Sequence, residues 1–140
     1  MNLAPVLARL KSQLTGFVVI GGAADLQSID NDAPPAPSCF LVMTSEVAED
    51  NTLLGGYEQR LTIGFSVVLV VSNVADATGS AAMGDLEALR SQVKTALIGW
   101  PPEPAIGEPV RYAAGHQLRF DDGLLWWADE FRVITYLRSV

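Results

Sequence analysis

The chain has 140 residues, of which 49% are hydrophobic and 18% are charged. This length is typical of one domain, residues 1–140, and the composition excludes global disorder. Sixteen acidic residues against 9 basic ones give a net charge of -7, which argues against specific nucleic-acid binding because a polyanion would be repelled.

The cysteine and histidine content excludes two kinds of site. Cys39 is the single cysteine and His116 the single histidine, too few for an internal disulfide or a His/Cys zinc site. Residues 1–14 lack the basic leader of a secretory signal, and the longest apolar stretch, near residues 67–71, is far shorter than the roughly 20 residues that cross a bilayer. We therefore expect a protein made in the cytoplasm, with no membrane partner.

The first third of the chain predicts a helix and two short strands. Apolar residues recur at helical spacing over residues 3–15, and residues 17–20 form a β-branched run typical of a strand. Residues 23–29 could form a helical turn or a short helix before a proline-rich loop. Residues 38–44 are mostly apolar, which indicates a strand buried on both faces.

The middle of the chain contains the clearest strand signal. An acidic loop at residues 45–57 is followed by strict alternation of apolar and polar residues over Glu58–Ser72, which predicts a strand with one buried face. At its far end Val68 and Val70 interrupt the polar side, which indicates that the second face becomes covered there.

The last third predicts a helix and a β-hairpin. Residues 82–98 have a helical apolar stripe that ends at Gly99, and the prolines that follow cannot continue a helix. Residues 110–120 and 124–137 alternate around an Asp-Asp-Gly turn. One mostly antiparallel sheet with two helices packed on one face satisfies this order of elements, so the predicted class is α+β.

Adjacent tryptophans on the last predicted strand suggest an interface. Trp126 and Trp127 must point to opposite faces of the sheet, and a domain of this size has one main core. Trp126 shares its face with Ile134 and Tyr136, so we expect this face to take part in self-association. The alternative is that the first helix or the loop at Trp100 covers it.

The acidic loop contains the other candidate surface. Glu46, Glu49 and Asp50 lack the spacing of a calcium loop, which favours a solvated acidic arm. Leu53 and Leu54 lie in the middle of this arm. They could be a docking element, or they could fold back onto their own sheet.

No catalytic, cofactor-binding or metal-binding set is evident. Gly21 and Gly22 follow a strand, but the rest of a dinucleotide-binding motif is missing. His116 would need Asp121, Asp122 or Cys39 as a partner, and the plainer interpretation is a packed strand histidine. Cys39 lies in a buried strand, where a thiol is inert.

Two segments of the chain resemble a known family. The runs are ALIGWPPEP and VRYAAGHQLRFDDGLLWWADEFRVITYLR. They are similar to the minor tail terminator family of long-tailed bacteriophages. The order and character of APPAPSCFLVM, GGYEQRLTIGFSVVLVVSN and GDLEALRSQVKTALIGW agree with it, so the resemblance covers nearly the whole chain.

The resemblance implies a structural role in the virion tail. Family members share an α+β fold and assemble as a hexameric ring on the tail tube, where they end tube polymerisation and meet head-completion or connector proteins. They are not enzymes and need no cofactor. The positions that match the family pattern are expected to carry the fold: Gly99, Trp100, Pro102, Tyr112, Gly115, Trp126, Trp127 and Phe131.

Two other functions remain open from the sequence. The chain could be another head–tail or tail completion protein, since such proteins have a similar size and fold. It could also be a small α+β ligand-binding domain or hydrolase, which would require a pocket that holds His116 with an acidic partner.

Overall fold

The computed structural model describes residues 1–28, 35–72, 80–121 and 123–139. The elements, in chain order, are α1 (Ala4–Gln13), β1 (Val19–Gly22), α2 (Ala23–Ser28), β2 (Ser38–Ala48), β3 (Glu58–Ser72), α3 (Ser80–Leu97), β4 (Arg111–Asp121) and β5 (Leu124–Arg138).

The strands form one five-stranded sheet in the order β1-β2-β3-β5-β4. β1 runs parallel to β2, and every other neighbouring pair is antiparallel. The α+β class is therefore confirmed. The parallel pair needs a crossover connection, and α2 lies in it.

The main core lies between one face of the sheet and the helices α1 and α3. The alternating residues of β3 from Leu61 to Val71 all point into it, as the period-two pattern predicts. Val6 and Leu10 of α1 and Leu97 of α3 close the core from the other side. Each such fully buried side chain contributes roughly 1.5–3 kcal/mol to stability, so this cluster is the main apolar support of the fold.

A smaller cluster lies on the opposite face of the sheet. Phe40, Val68, Val70 and Trp126 are buried there, and Leu26 of α2 packs against them. The predicted burial of both faces of the strands at this end is thus observed. The short helix α2 contributes Leu26 to the cover of this cluster.

Two bulges in β4 change the predicted faces of that strand. The register of β4 against β5 shifts between Tyr112 and Ala114 and again between Gln117 and Arg119. The predicted alternation over residues 110–120 is therefore wrong, and Tyr112 and Ala114 lie on opposite faces of the sheet. A bulge puts two residues opposite one and reverses the alternation, which an apolar pattern does not reveal.

Candidate functional site

A buried carboxylate connects α3 to the β4–β5 hairpin. The Asp129 side chain is fully buried, and Arg90 donates to it from Nε (3.1 Å to Oδ2) and Nη2 (3.0 Å to Oδ1). Tyr112 donates its hydroxyl at 3.1 Å, and Trp127 donates its indole N–H at 2.9 Å. We call these four residues the Asp129 network.

The backbone of β4 lies close to this network at Gly115, where the absence of a side chain leaves room for it. A Cβ at this position would lie 2.6 Å from the Tyr112 hydroxyl and 2.9 Å from Asp129 Oδ1. Phe131 lies alongside and makes an edge contact with the Tyr112 ring at 5.6 Å between centroids. Four of the residues identified from the family pattern are thus brought together: Tyr112, Gly115, Trp127 and Phe131.

The charges of the network balance each other. Burial disfavours the charged form of Arg90 and would lower its pKa. The hydrogen bonds to Asp129 and Glu87 outweigh this effect, so the pKa of Arg90 is raised. Burial, reinforced by the neighbouring Asp129 charge, raises the pKa of Tyr112. The Arg90 guanidinium also lies 4.5 Å from the centre of the Trp127 ring. The arrangement offers no activated nucleophile, and its role is to hold α3 on the hairpin.

Arg90 and Asp129 are not among the residues predicted from the sequence. The alternation of β5 puts Asp129 on the same inward face as Trp127 and Phe131, and a carboxylate at such a position needs a partner. That signal was available in the sequence. The identity of its partner was not, because Arg90 lies 39 residues away in the chain.

Three further family positions shape the end of α3. Gly99 adopts a left-handed conformation with φ of 84°, and its N–H donates to the Val110 carbonyl at 2.9 Å. Trp100 packs against the main core beneath Arg9, whose guanidinium lies 5.1 Å from the ring centre. Pro102 is buried. These residues turn the chain from α3 towards β4.

The prediction of a loop over residues 45–57 is wrong at its start, because residues 45–48 belong to β2 and Glu46 is therefore a strand residue. The rest of this acidic arm is an ordered loop. The Asn51 side chain accepts hydrogen bonds from the N–H groups of Leu53 (3.2 Å) and Glu58 (2.7 Å) and donates to the Gly56 carbonyl at 3.0 Å. Leu54 is fully exposed at the end of this loop, and Leu53 is 47% exposed. Neither leucine folds back into the core.

Further contacts fix the arm and enlarge its apolar surface. The Ser139 N–H donates to the Tyr57 carbonyl at 2.8 Å, and the Tyr57 N–H donates to Ser139 Oγ at 3.0 Å. Several exposed apolar side chains surround this contact. We call them the arm tip: Leu53, Leu54, Tyr57 and Leu137.

Two of the three predicted interface residues of β5 lie apart from the third. Trp126 is only 6% exposed, because it packs in the smaller cluster of the same chain and the Arg119 guanidinium lies 4.8 Å from its ring centre. The prediction that a second molecule covers Trp126 is therefore wrong, and neither the first helix nor the Trp100 loop covers it. Ile134 and Tyr136 lie further along the same face, but Ile134 is also only 6% exposed, so of the three only Tyr136 has a partly exposed side chain.

The candidate catalytic and metal-binding residues are not brought together. His116 and Cys39 lie on β4 and β2, which are separated by two strands, and His116 contacts Glu130 at 3.4 Å. Burial raises the pKa of the Cys39 thiol to about 12. Asp122 and the side chain of Asp121 lie outside the described residues. Within the described part of the chain, no group of three His, Cys, Asp or Glu side chains could hold a metal ion.

No helix among the described residues is long and apolar enough to cross a membrane. The family model described as "Phage tail terminator protein" matches residues 1–139. No curated protein matches the chain. The chain therefore belongs to the phage tail terminator family, as its resemblance implied, and is a structural component of the virion tail.

Proposed function

From this family membership, we propose that the chain forms a ring that caps the tail tube, ends tube polymerisation and joins the tail to the head-completion proteins. Its partners are further copies of itself in a hexamer, the tail tube protein and a head-completion or connector protein. It is made in the host cytoplasm and acts without a catalytic group or a cofactor. Its activity is the selective binding of protein surfaces.

The observation that supports this proposal is the arm tip. A fully exposed leucine on a loop that is held by Asn51 and Ser139 is a preformed apolar projection, because no folding of the loop has to accompany its burial. Contiguous exposed apolar side chains on a soluble protein are typical of protein-binding sites. The arm tip is the surface that we assign to the tail tube.

A closed ring also needs two different patches on each subunit, because each copy contacts one neighbour on either side. The β5 face around the partly exposed Tyr136 offers a second surface, on the opposite side of the sheet from α1 and α3. Two distinct surfaces on one small domain are compatible with a heterologous ring.

The test compares two surface variants in a phage that lacks this protein. The double variant Leu53→Ser/Leu54→Ser removes the centre of the arm tip. The control, Leu118→Ser, removes another exposed leucine, on β4. The free energy of unfolding of both variants should lie within about 0.5 kcal/mol of that of the unchanged protein, since they alter exposed side chains.

Tail length and attachment give the readout. With the Leu53→Ser/Leu54→Ser protein we expect overlong tubes in electron micrographs and no co-sedimentation of the protein with purified tubes. The Leu118→Ser protein should restore tubes of normal length. Normal tube length and attachment with both variants would refute the assignment, and normal tubes in the complete absence of the protein would refute the terminator function itself.

A further inference from the structure

The edge of the sheet at β2 is only partly covered. β1 is four residues long and pairs with the first four residues of β2, from Ser38 to Leu41. β2 continues to Ala48, so among the described residues its second half is paired with β3 alone. Every residue from Met43 to Asp50 is exposed. No helix or strand of the described chain therefore covers this part of the β2 edge.

The backbone of this stretch has hydrogen-bonding groups that point away from the sheet. The Glu49 N–H donates to the Arg60 carbonyl of β3 at 2.9 Å. In an antiparallel pair, alternate residues direct both of their backbone groups to the same side, so the N–H and C=O groups of Glu46 and Ala48 point away from β3. The register is continuous over residues 45–48, and we call this stretch the open edge.

The open edge is better suited to an added strand than the edges at β1 and β4. β4 is interrupted by two bulges, and β1 has only four residues. β2 has one bulge, between Met43 and Ser45, and its ladder is regular after it. An exposed regular edge is a template on which an extended segment of a partner completes the backbone hydrogen bonds. The open edge offers two donors and two acceptors for such a segment.

The side chains of the open edge indicate the chemistry of the segment that fits it. Glu46 and Val47 point to opposite faces of the sheet. Val47 is 62% exposed, which favours an apolar residue beside it on the added strand. Glu46 is exposed and forms no ion pair with any described residue, which favours a lysine or arginine opposite it. Glu49, by contrast, already lies beside Arg60 on the other face.

A second copy of the chain does not fit the open edge. Two copies paired through this same stretch would bring their Glu46 carboxylates close together on one face of the joined sheet. Such a contact would also be isologous, so it would close a dimer and not a ring. The tail tube is the favoured partner, because the open edge continues along the chain into the loop that carries Leu53 and Leu54 of the arm tip.

We propose that an extended segment of the tail tube protein, with a lysine or arginine among apolar residues, adds to the sheet of this chain along the open edge. This inference rests on the proposed function and specifies how the tube is held. Backbone hydrogen bonds to Glu46 and Ala48 bind the segment, and its basic residue opposite Glu46 sets the register. The arm tip packs against the same partner beyond the end of the added strand.

Hydrogen exchange of the unchanged protein tests the strand addition directly. In the free protein the amides of Glu46 and Ala48 face solvent, so a peptide that covers residues 43–49 should take up deuterium rapidly at these two positions. When the protein is bound to purified tail tubes, both amides should exchange at least about tenfold more slowly. The Val47 amide points to β3 and serves as the internal control, because its protection should be the same in both states.

Two substitutions test the hydrogen bonds and the charge. Ala48→Pro removes an outward N–H and no bond to β3, which is a position where a sheet edge tolerates proline. Its attachment to tubes should weaken roughly three- to tenfold, the effect of one lost hydrogen bond, while the control Ala48→Val keeps the N–H and should attach normally. Glu46→Lys should also weaken attachment, and the control Asp85→Lys, on α3, should not. Co-sedimentation measures attachment, and circular dichroism confirms folding.

The outcomes separate this inference from the proposed function. If the protein attaches to tubes while the Glu46 and Ala48 amides stay unprotected, or if Ala48→Pro and Glu46→Lys both attach normally, the strand addition is refuted and the proposed function stands. If the two amides are already protected before tubes are added, a second copy occupies the open edge and the inference is overturned. If the unchanged protein does not attach to tubes, both proposals are refuted. Should Ala48→Pro fail to fold, the exchange experiment decides alone.

Discussion

Replacement of Arg90 by methionine tests the importance of the Asp129 network. The Asp129 side chain is fully buried and Arg90 is 12% exposed, so the substitution leaves a carboxylate inside the protein without its countercharge. Tyr112 and Trp127 would still donate to it, but neither carries a positive charge. Removing one partner of a buried ion pair costs about 3–5 kcal/mol of unfolding free energy. For a domain of this size we expect the melting temperature to fall by roughly 10–17 °C.

Glu87→Gln provides the matched control, because Glu87 contacts the same guanidinium at 2.7 Å but is 62% exposed. An exposed pair contributes at most about 1 kcal/mol, so the free energy of unfolding of this variant should be close to that of the unchanged protein. Arg90→Lys keeps the positive charge but loses the bidentate hydrogen bonds to Asp129. Its loss of unfolding free energy should lie between those of Arg90→Met and Glu87→Gln. Urea unfolding followed by tryptophan fluorescence measures all three. An Arg90→Met cost below about 1 kcal/mol, or one equal to that of Glu87→Gln, would show that the network does not hold α3 on the hairpin.

Two further substitutions and one labelling experiment test the packing. Gly115→Ala should destabilise by about 1–3 kcal/mol in urea unfolding, because its Cβ would overlap the Tyr112 hydroxyl, and a neutral result would contradict the close packing there. Gly84→Ala, in α3 with no atom within 4 Å of the new methyl group, should instead stabilise by about 1 kcal/mol, and a loss of stability would mean that the site is not open. Since burial raises the pKa of Cys39 to about 12, a thiol reagent at pH 8 should label it only in the unfolded protein, and fast labelling of the native protein would contradict the burial.

Much of the fold could be predicted because its elements have clear periods and boundaries. The alternation of β3, the stop of α3 before Gly99 and the turn between β4 and β5 are local properties of the sequence. Period two also assigned the residues of β5 to the correct faces, including Ile134 and Tyr136. These signals are sufficient for the order of the elements and for the α+β class.

The remaining features depend on contacts between distant parts of the chain. The period of the apolar residues indicates which face a residue occupies but not what covers that face, so the burial of Trp126 in the smaller cluster was not foreseen. The pair of Arg90 and Asp129 joins a helix to a strand that is distant in sequence. The order of the arm depends on the side chain of Asn51 and on Ser139, and nothing in the apolar pattern indicates either.

The irregular ladder of β4 has a consequence for how copies of this protein can add to one another. β4 lies at one end of the strand order, where a regular strand would be a template on which further chains could extend the sheet into a fibre. The shifts after Tyr112 and after Gln117 interrupt that template at two points. Strand-by-strand growth of the sheet from the β4 edge is therefore disfavoured. A subunit that is proposed to end the tail tube is thus protected at this edge against forming fibres of its own.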